Sequence, residues 1–404
     1  MKRVLLIGDG ASGWPLPEYA GRTALQAAKK PYLDRLCSAG RLGLAQILPP
    51  GVSVGTDTAL LALLGQDIAH LPSRAHLEGA GMGNRIDVAD WAWRLNLVSI
   101  SASGKMLSHS GGDISPQAGR QLVEDLLLDT KLHALLEKFN FRLAVGSGFR
   151  HQLVRKGKVE ITTIPPHDIL GKQVEKYWPV GGAGLRDIMT HAHLLLQRHP
   201  LNHQRLKEGK LPANYIWPWG GGPGAPLKPF SLLSAHRGLC VAHVPVVKGI
   251  ASLLGLTVAN VPGSTGDIHT NWQAKVKAAL TGLCSGYDFI LVHLEAPDEC
   301  SHRGDWRGKI KALEILDAMA RALHLGLEKT GGHYRLLVMS DHATPLATRT
   351  HAPDPIPFFL YDNHSELAHG RAYHEIAAAA TNYQVGGQEL LKLLFSPPGE
   401  KGGL

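Results

Sequence analysis

Two clusters of carboxylate and imidazole side chains are the residues of this chain best suited to chemistry. The first lies in YDFILVHLEAPDECSHRGD and supplies Asp298 and His302. The second lies in YRLLVMSDHATPLATRTHAPDPIPFFLY and supplies Asp341, His342 and, shortly after, His351. Aspartate oxygens combined with imidazole nitrogens suit divalent ions such as Mn²⁺ or Zn²⁺. A single Asp-x-x-x-His match says little in a chain with 22 histidines. Two such clusters, joined by a further carboxylate at Asp9, predict a two-metal site.

The elements that must position these groups are strands. Runs 289–294 and 335–339 are β-type and each ends in one of the clusters, while the apolar run 3–7 is closed by Gly8-Asp9-Gly10. In a parallel α/β sheet, reactive groups gather just beyond the carboxyl ends of the strands. A helix over 309–328 separates the two cluster-bearing strands. Thr56 follows Gly55 and opens the apolar run 59–64. Two readings share that geometry. Thr56 is either a helix N-cap with Asp57 in the first turn, or a nucleophile. In the second case the helix terminus holds a phosphoryl group and a metal activates the hydroxyl.

At 404 residues the chain exceeds what one core usually manages, which predicts two domains. The net charge of +8 fits nucleic acid or a small anionic substrate. No run of five Lys/Arg occurs and aromatics do not interleave with basic residues, so the small anion is the expected partner and nucleic acid is not. The four cysteines, Cys37, Cys240, Cys284 and Cys300, are scattered and form no CxxC pair, as in a reducing compartment. The opening MKRVLLIGDG has too short an apolar run for a signal peptide. No segment approaches ~18 consecutive apolar residues, so no membrane span is expected and the protein should be cytoplasmic.

The α/β rhythm breaks in the middle of the chain. After a helix over 22–39 and the Thr56 segment, the texture changes near 87. Helix-period runs at 115–128 and 131–139 follow, then a strand carrying Arg150 and His151, a helix near 184–199 and the turn-rich ANYIWPWGGGPGAP. This block predicts an inserted domain over 89–225, closed by a Gly/Pro-rich linker at 220–229. Residues 1–88 and 226–404 then form one discontinuous domain. In its second part, strands are expected at 239–244 and 256–261 and helices at 247–254 and 271–283. The tail SPPGEKGGL reads as disordered.

An ordered set of motifs carries a family resemblance: GDG (8–10), GTDTALLALLG (55–65), WRLN (93–96), FRH (149–151), PPHDILG (165–171), NYIWPWGGG (214–222), VPGSTGD (261–267), EAPDECSH (295–302) and SDHATP (340–345). Together they resemble the archaeal-type cofactor-independent phosphoglycerate mutases, a branch of the alkaline phosphatase superfamily, over nearly the whole chain. The resemblance implies an α/β fold, an alkaline-phosphatase-like sheet-and-helix core with an inserted α+β substrate-binding domain. It implies two divalent ions (Mn²⁺ first, with Zn²⁺, Co²⁺ or Mg²⁺ as alternatives) and no 2,3-bisphosphoglycerate. Asp298, His302 and His351 would hold one ion; Asp9, Thr56, Asp341 and His342 the other. Arg94 and Arg150, with Asn96 and His151, match the motif positions that grip the substrate's carboxylate and phosphate, a task suited to guanidinium forks. Lys248 would reach the phosphoryl group.

The chain also departs from the family. Thr56 stands where the family has a nucleophilic serine, GYDP reads GQDI at 65–68, and the Gly-Arg-Gly-Pro segment reads PSRAHLEGAG at 72–81. The leading expectation is phosphoryl transfer through a phosphothreonine, interconverting 3-phosphoglycerate and 2-phosphoglycerate. The alternatives are a related mutase, phosphatase or homoserine-kinase-like enzyme for another small phosphorylated or phosphonate acid and, from another class, a non-catalytic metal- or nucleic-acid-binding protein.

Overall fold

The structure is a computed structural model that describes residues 1–233, 236–365 and 367–397. From 398 on, the tail read as disordered lies outside the described residues. In chain order the strands are β1 (Lys2–Gly8), β2 (Arg41–Gln46), β3 (Trp91–Ile100), β4 (Met106–Ser108), β5 (Phe141–Ser147), β6 (Arg150–Arg155), β7 (Ile161–Thr162), β8 (Val180–Gly181), β9 (Tyr215–Pro223), β10 (Gly238–Val241), β11 (Thr257–Val258), β12 (Phe289–Leu294), β13 (Tyr334–Met339), β14 (Ile356–Asp362) and β15 (Gln384–Gly386). The chain forms an α/β fold in two compact units, residues 1–69 with 227–404, and residues 70–226.

The first unit is built on an eight-stranded sheet in the order β11-β10-β12-β1-β13-β14-β2-β15. β12 and β13 are buried along their whole length and β1 from Arg3 onward. Strands covered on both faces read as continuous apolar runs, and these three do. The long helix Trp306–Thr330 sets Leu313, Leu316, Met319, Leu323 and Leu327 at helical spacing into the core. β12 and β13 flank β1, and both pair with it in parallel. Ile7 lies opposite His293 on one side and Met339 on the other. The carboxyl ends of all three strands are therefore level, and whatever follows them meets in one place.

The sheet is mixed, because β14 runs antiparallel to both β13 and β2; an apolar run carries no mark of its direction. The helix expected over 22–39 is two helices, Ala24–Ala27 and Pro31–Ser38. Pro31 opens the second, and a residue preceding proline is disfavoured in the helical region.

The second unit has an antiparallel sheet, β4-β3-β6-β5, with β9 pairing β3 on its other side. Trp93, Leu95, Phe141, Leu153 and Trp217 share its core with Ile188 and Met189 of the helix Leu185–Arg198. The boundary expected at 88/89 falls inside this unit. The backbone N–H of Ser73 bonds to the Pro223 carbonyl, and His76 bonds to the Asp90 carbonyl. The helix Arg74–Gly81 thus packs on β3 and β9. The stretch read as turn-rich is mostly the strand β9. Its glycines serve close approach, since a Cβ at Gly221 would lie 2.0 Å from Trp93 Cδ1.

Candidate metal centre

Asp9 leaves the end of β1, Asp341 and His342 follow β13, and the helix Ala296–Arg303 begins just after β12. Asp298 and His302 stand four residues apart on that helix and so share a face. His302 Nε2 lies 3.0 Å from Asp298 Oδ2. His351 returns from the loop after β13, its Nε2 3.2 Å from His302 Nε2 and 3.7 Å from Asp298 Oδ1. Gly10 is required at this junction. Its φ is +57°, and a Cβ there would come within 2.6 Å of both Asp298 Oδ1 and Thr344 Oγ1.

A second group surrounds His342 Nε2. Asp9 Oδ1 lies 3.4 Å from it, Asp341 Oδ2 3.3 Å and Thr56 Oγ1 3.3 Å. Thr56 is buried and opens the helix Thr56–Leu63 as its first residue, after Gly55. The cap reading of Thr56 is thereby corrected. Thr58 does the capping: its hydroxyl accepts from the Gly55 N–H at 3.1 Å and has the Ser53 carbonyl (2.9 Å) and the Gly55 carbonyl (3.0 Å) as acceptors for its single proton. The Thr56 hydroxyl is left facing the aspartates and histidines.

The donor set fits cations. Nδ1 of His302 bonds to the Arg349 carbonyl and Nδ1 of His351 to the Val54 carbonyl, so both imidazoles turn Nε2 inward. Two Nε2 atoms 3.2 Å apart beside a carboxylate repel one another unless a proton or a metal sits among them. Asp9 Oδ1 and Asp341 Oδ2 are buried with no hydrogen-bond partner among the described residues, and such oxygens are costly without a counter-charge. Burial first, then the charges of Asp341 and Asp298, pushes the Asp9 carboxyl well above the usual range. Burial would also raise Asp298, but its hydrogen bonds to His302 and His351 hold it well below. One ligand atom each from Asp298, His342 and His351 lie within 4.8 Å of one another, as do atoms from Asp9, His293 and Asp341. Among the described residues these are two candidate metal groups.

Several residues here were not singled out in the sequence. His293 sits inside β12 where the pattern reads as core, with both ring nitrogens buried and unpartnered among the described residues. Glu295 follows it and meets the buried Lys275. Burial alone would raise the Glu295 carboxyl, but the Lys275 ammonium and His293 hold it far below the usual range. Thr344 bridges the two groups, with Oγ1 donating to Asp298 Oδ1 at 2.6 Å and lying 3.1 Å from His342 Nδ1. Lys309 is also buried. Its Nζ donates to the carbonyls of Gly10 (2.9 Å), Thr344 (2.9 Å) and Ser12 (3.3 Å), tying the loop after β1 to the loop after β13. Burial brings its ammonium down to about 8. Each of these residues answers to a tertiary neighbour distant in the chain.

The remaining sequence-predicted residues belong to other elements. Lys248 is half-buried on the helix Pro245–Leu253, where its charge helps lower His243 after burial. In the second unit, Arg94 pairs with Glu78 at 2.9 Å and stacks over the Trp219 ring at 3.9 Å. Arg150 lies opposite Asn96 across β3 and β6 and over the Phe149 ring. Asn96 is engaged on both sides, donating to the His109 carbonyl and accepting from Trp219 Nε1. His151 is buried, with Nδ1 accepting from the Gly146 N–H and Nε2 bonded to the Gly148 carbonyl, which leaves neither ring nitrogen for a ligand. Sequence alone placed His151 beside the arginines; the register turns it inward. Among the described residues, no helix is long and apolar enough to cross a membrane.

Residues 1–385 match the metalloenzyme superfamily. A Geobacter sulfurreducens protein named "Probable 2,3-bisphosphoglycerate-independent phosphoglycerate mutase" is 39% identical over 394 residues, covering 95% of this chain and 97% of its own. A 2,3-bisphosphoglycerate-independent phosphoglycerate mutase of Methanothrix thermoacetophila is 37% identical over 402 residues, covering 98% of this chain and 100% of its own. The solved structure of the PH0037 protein of Pyrococcus horikoshii is similar at a TM-score of 0.75 and 25% identity, over 97% of this chain and 96% of its own.

Proposed function

The chain belongs to the 2,3-bisphosphoglycerate-independent phosphoglycerate mutase family of the metalloenzyme superfamily, and from that membership we propose that it interconverts 3-phosphoglycerate and 2-phosphoglycerate through a phosphothreonine at Thr56. The observation that carries the Thr56 assignment is its buried hydroxyl, released from capping by Thr58 and aimed at His342 Nε2. In this reading Asp298, His302 and His351 hold one divalent ion, and Asp9, Thr56, Asp341 and His342 the other. Mn²⁺ is our first assignment for an oxygen- and nitrogen-donor set of this kind. The ions would supply positive charge that lowers the pKa of the hydroxyl and offsets the charge of the transferring group.

The chain's own residues do the rest. Thr56 takes the phosphoryl group from one hydroxyl of the glycerate and returns it to the other, so the reaction ends with the phosphate moved and no water consumed. Thr56, Asp9, Asp341 and His342 are all buried, which keeps water from competing for the phosphothreonine. A phosphoryl group on Thr56 would sit at the start of the helix Thr56–Leu63, where an anion is favoured. Arg94 and Arg150, which match the family's substrate positions, are assigned to the substrate's carboxylate and phosphate, with residues 70–226 as the substrate-binding part. Lys248 is assigned to the phosphoryl group on the motif match. The motif match also gives Asn96 a substrate position, and its two hydrogen bonds suit a residue that fixes the β3 surface beside Arg94.

The test is an enolase-coupled assay with 3-phosphoglycerate, run after chelation and again after adding Mn²⁺, beside a panel of other phosphomonoesters. Metal-dependent turnover of 3-phosphoglycerate above the rest of the panel is expected. Turnover undiminished in excess chelator, or confined to another ester, would refute the reading.

A further inference from the structure

We propose that His293 is a ligand of the ion held by Asp9 and Asp341, with Glu295 and Lys275 fixing its ring for that task. This rests on the metal reading of the centre given above and adds a residue to it.

His293 is fully buried on β12 of the eight-stranded sheet, and neither ring nitrogen has a hydrogen-bond partner among the described residues. Buried imidazoles are ordinarily bonded. Nδ1 lies 3.5 Å from Glu295 Oε1 and Nε2 lies 3.6 Å from Asp9 Oδ2, on opposite sides of the ring. One ligand atom from each of His293, Asp9 and Asp341 lie within 4.8 Å of one another.

A protonated ring bridging the two carboxylates is the alternative, and Glu295 argues against it. Its charge is already met by Lys275 Nζ at 2.5 Å, and its Oε1 accepts the His243 N–H at 2.6 Å and the Val244 N–H at 3.3 Å. Lys275 is itself held by the His293 carbonyl at 2.9 Å. Glu295 therefore needs no second cation. It is a fixed acceptor on the Nδ1 side of the ring, so Nδ1 is the nitrogen placed to carry a proton. Nε2 then faces Asp9 Oδ2, and two lone pairs 3.6 Å apart repel unless a proton or a metal ion lies between them. Ligand arms of roughly 2.0–2.2 Å span such a gap. A metal-bound histidine commonly gives its other N–H to a carboxylate, and Glu295–His293 has that form. A nitrogen from His293 and another from His342 favour a borderline ion such as Mn²⁺, Co²⁺ or Zn²⁺ over Mg²⁺.

The experiment loads chelator-stripped full-length protein with Mn²⁺ alone and measures bound metal by elemental analysis and titration. Two ions are expected in the wild type. His293→Ala should weaken one of them at least 10-fold, while His302→Ala should weaken the other, so the double variant retains neither at wild-type affinity. The melting temperature of the metal-free proteins reports whether each variant folds. An unaltered chain gives the second measurement: electron spin-echo spectroscopy of the Mn²⁺-loaded wild type should count four coordinated imidazole nitrogens. Three nitrogens, or a folded His293→Ala protein that holds both ions at wild-type affinity, would overturn the proposal while leaving a two-metal centre intact. A wild type that binds no Mn²⁺, nor Co²⁺ or Zn²⁺ when each is loaded in the same way, would overturn the metal reading itself.

Discussion

Thr56 Oγ1 lies 3.3 Å from His342 Nε2, though 286 positions separate the two residues in the chain. Because Thr58 carries the capping bonds, the two threonines should separate stability from activity. Thr58→Ala is expected to cost about 1 kcal/mol of stability, as lost caps do, with turnover largely kept. Thr56→Ala should abolish turnover with little loss of stability, and Thr56→Ser should remain active. Mass spectrometry of enzyme quenched with 3-phosphoglycerate should find phosphate on the Thr56 peptide. A Thr56→Ala protein turning over at the wild-type rate would remove Thr56 from the chemistry.

Arg94 is held on the β3 surface by Glu78 and by the Trp219 ring. Such a pre-set guanidinium loses little freedom on meeting an anion. Arg94→Ala and Arg150→Ala are each expected to raise KM for phosphoglycerate at least 10-fold while Mn²⁺ content stays at the wild-type level. Arg94→Lys should rescue only part of the loss, since lysine cannot form a two-pronged contact. Unchanged KM in both alanine variants would exclude these arginines from substrate binding.

Lys309 joins three carbonyls on two loops that lead to Asp9 and His342. Lys309→Met fills a similar volume but leaves the Gly10 and Thr344 carbonyls without this donor, at roughly 1–3 kcal/mol each before relief of the buried charge, while the Ser12 carbonyl keeps the Thr344 N–H. A net loss of about 3 kcal/mol is expected in urea unfolding, with weaker Mn²⁺ binding in the protein that still folds. If the urea midpoint and the metal affinity both match the wild type, Lys309 does not hold the loops.

His151 offers a pH test away from the metal residues. Burial lowers its ring to about 4, against 6.5 ordinarily, and the Gly146 N–H needs an unprotonated Nδ1. Between these values the unfolded chain takes up a proton that the folded chain refuses. The contribution is therefore present above pH 6.5 and is lost as pH falls towards 4, about 3 kcal/mol across the window. Urea unfolding of the wild type at pH 7 and pH 4.5, compared with His151→Asn, should show a smaller pH dependence in the variant. An identical dependence in both would mean His151 is charged in the folded state.

The sequence by itself determined what local pattern can carry. Apolar runs marked β1, β12 and β13, and the polar residues just after them marked where the chemistry would be, because a strand's end is written in the switch from apolar to polar side chains. Asp9, Asp298, His302, Asp341, His342 and His351 were all legible that way, as was the likeness of their motifs to those of a known family. Only the tertiary structure decided what depends on neighbours distant in the chain. The level ends of β1, β12 and β13 come from parallel register, which no single strand encodes. His293 and Lys275 look like ordinary members of a strand and a helix until Glu295 and Asp9 are brought beside them. Thr56 and Thr58 both follow the rules for a helix start, and only the packing of His342 against one hydroxyl tells the cap from the candidate nucleophile.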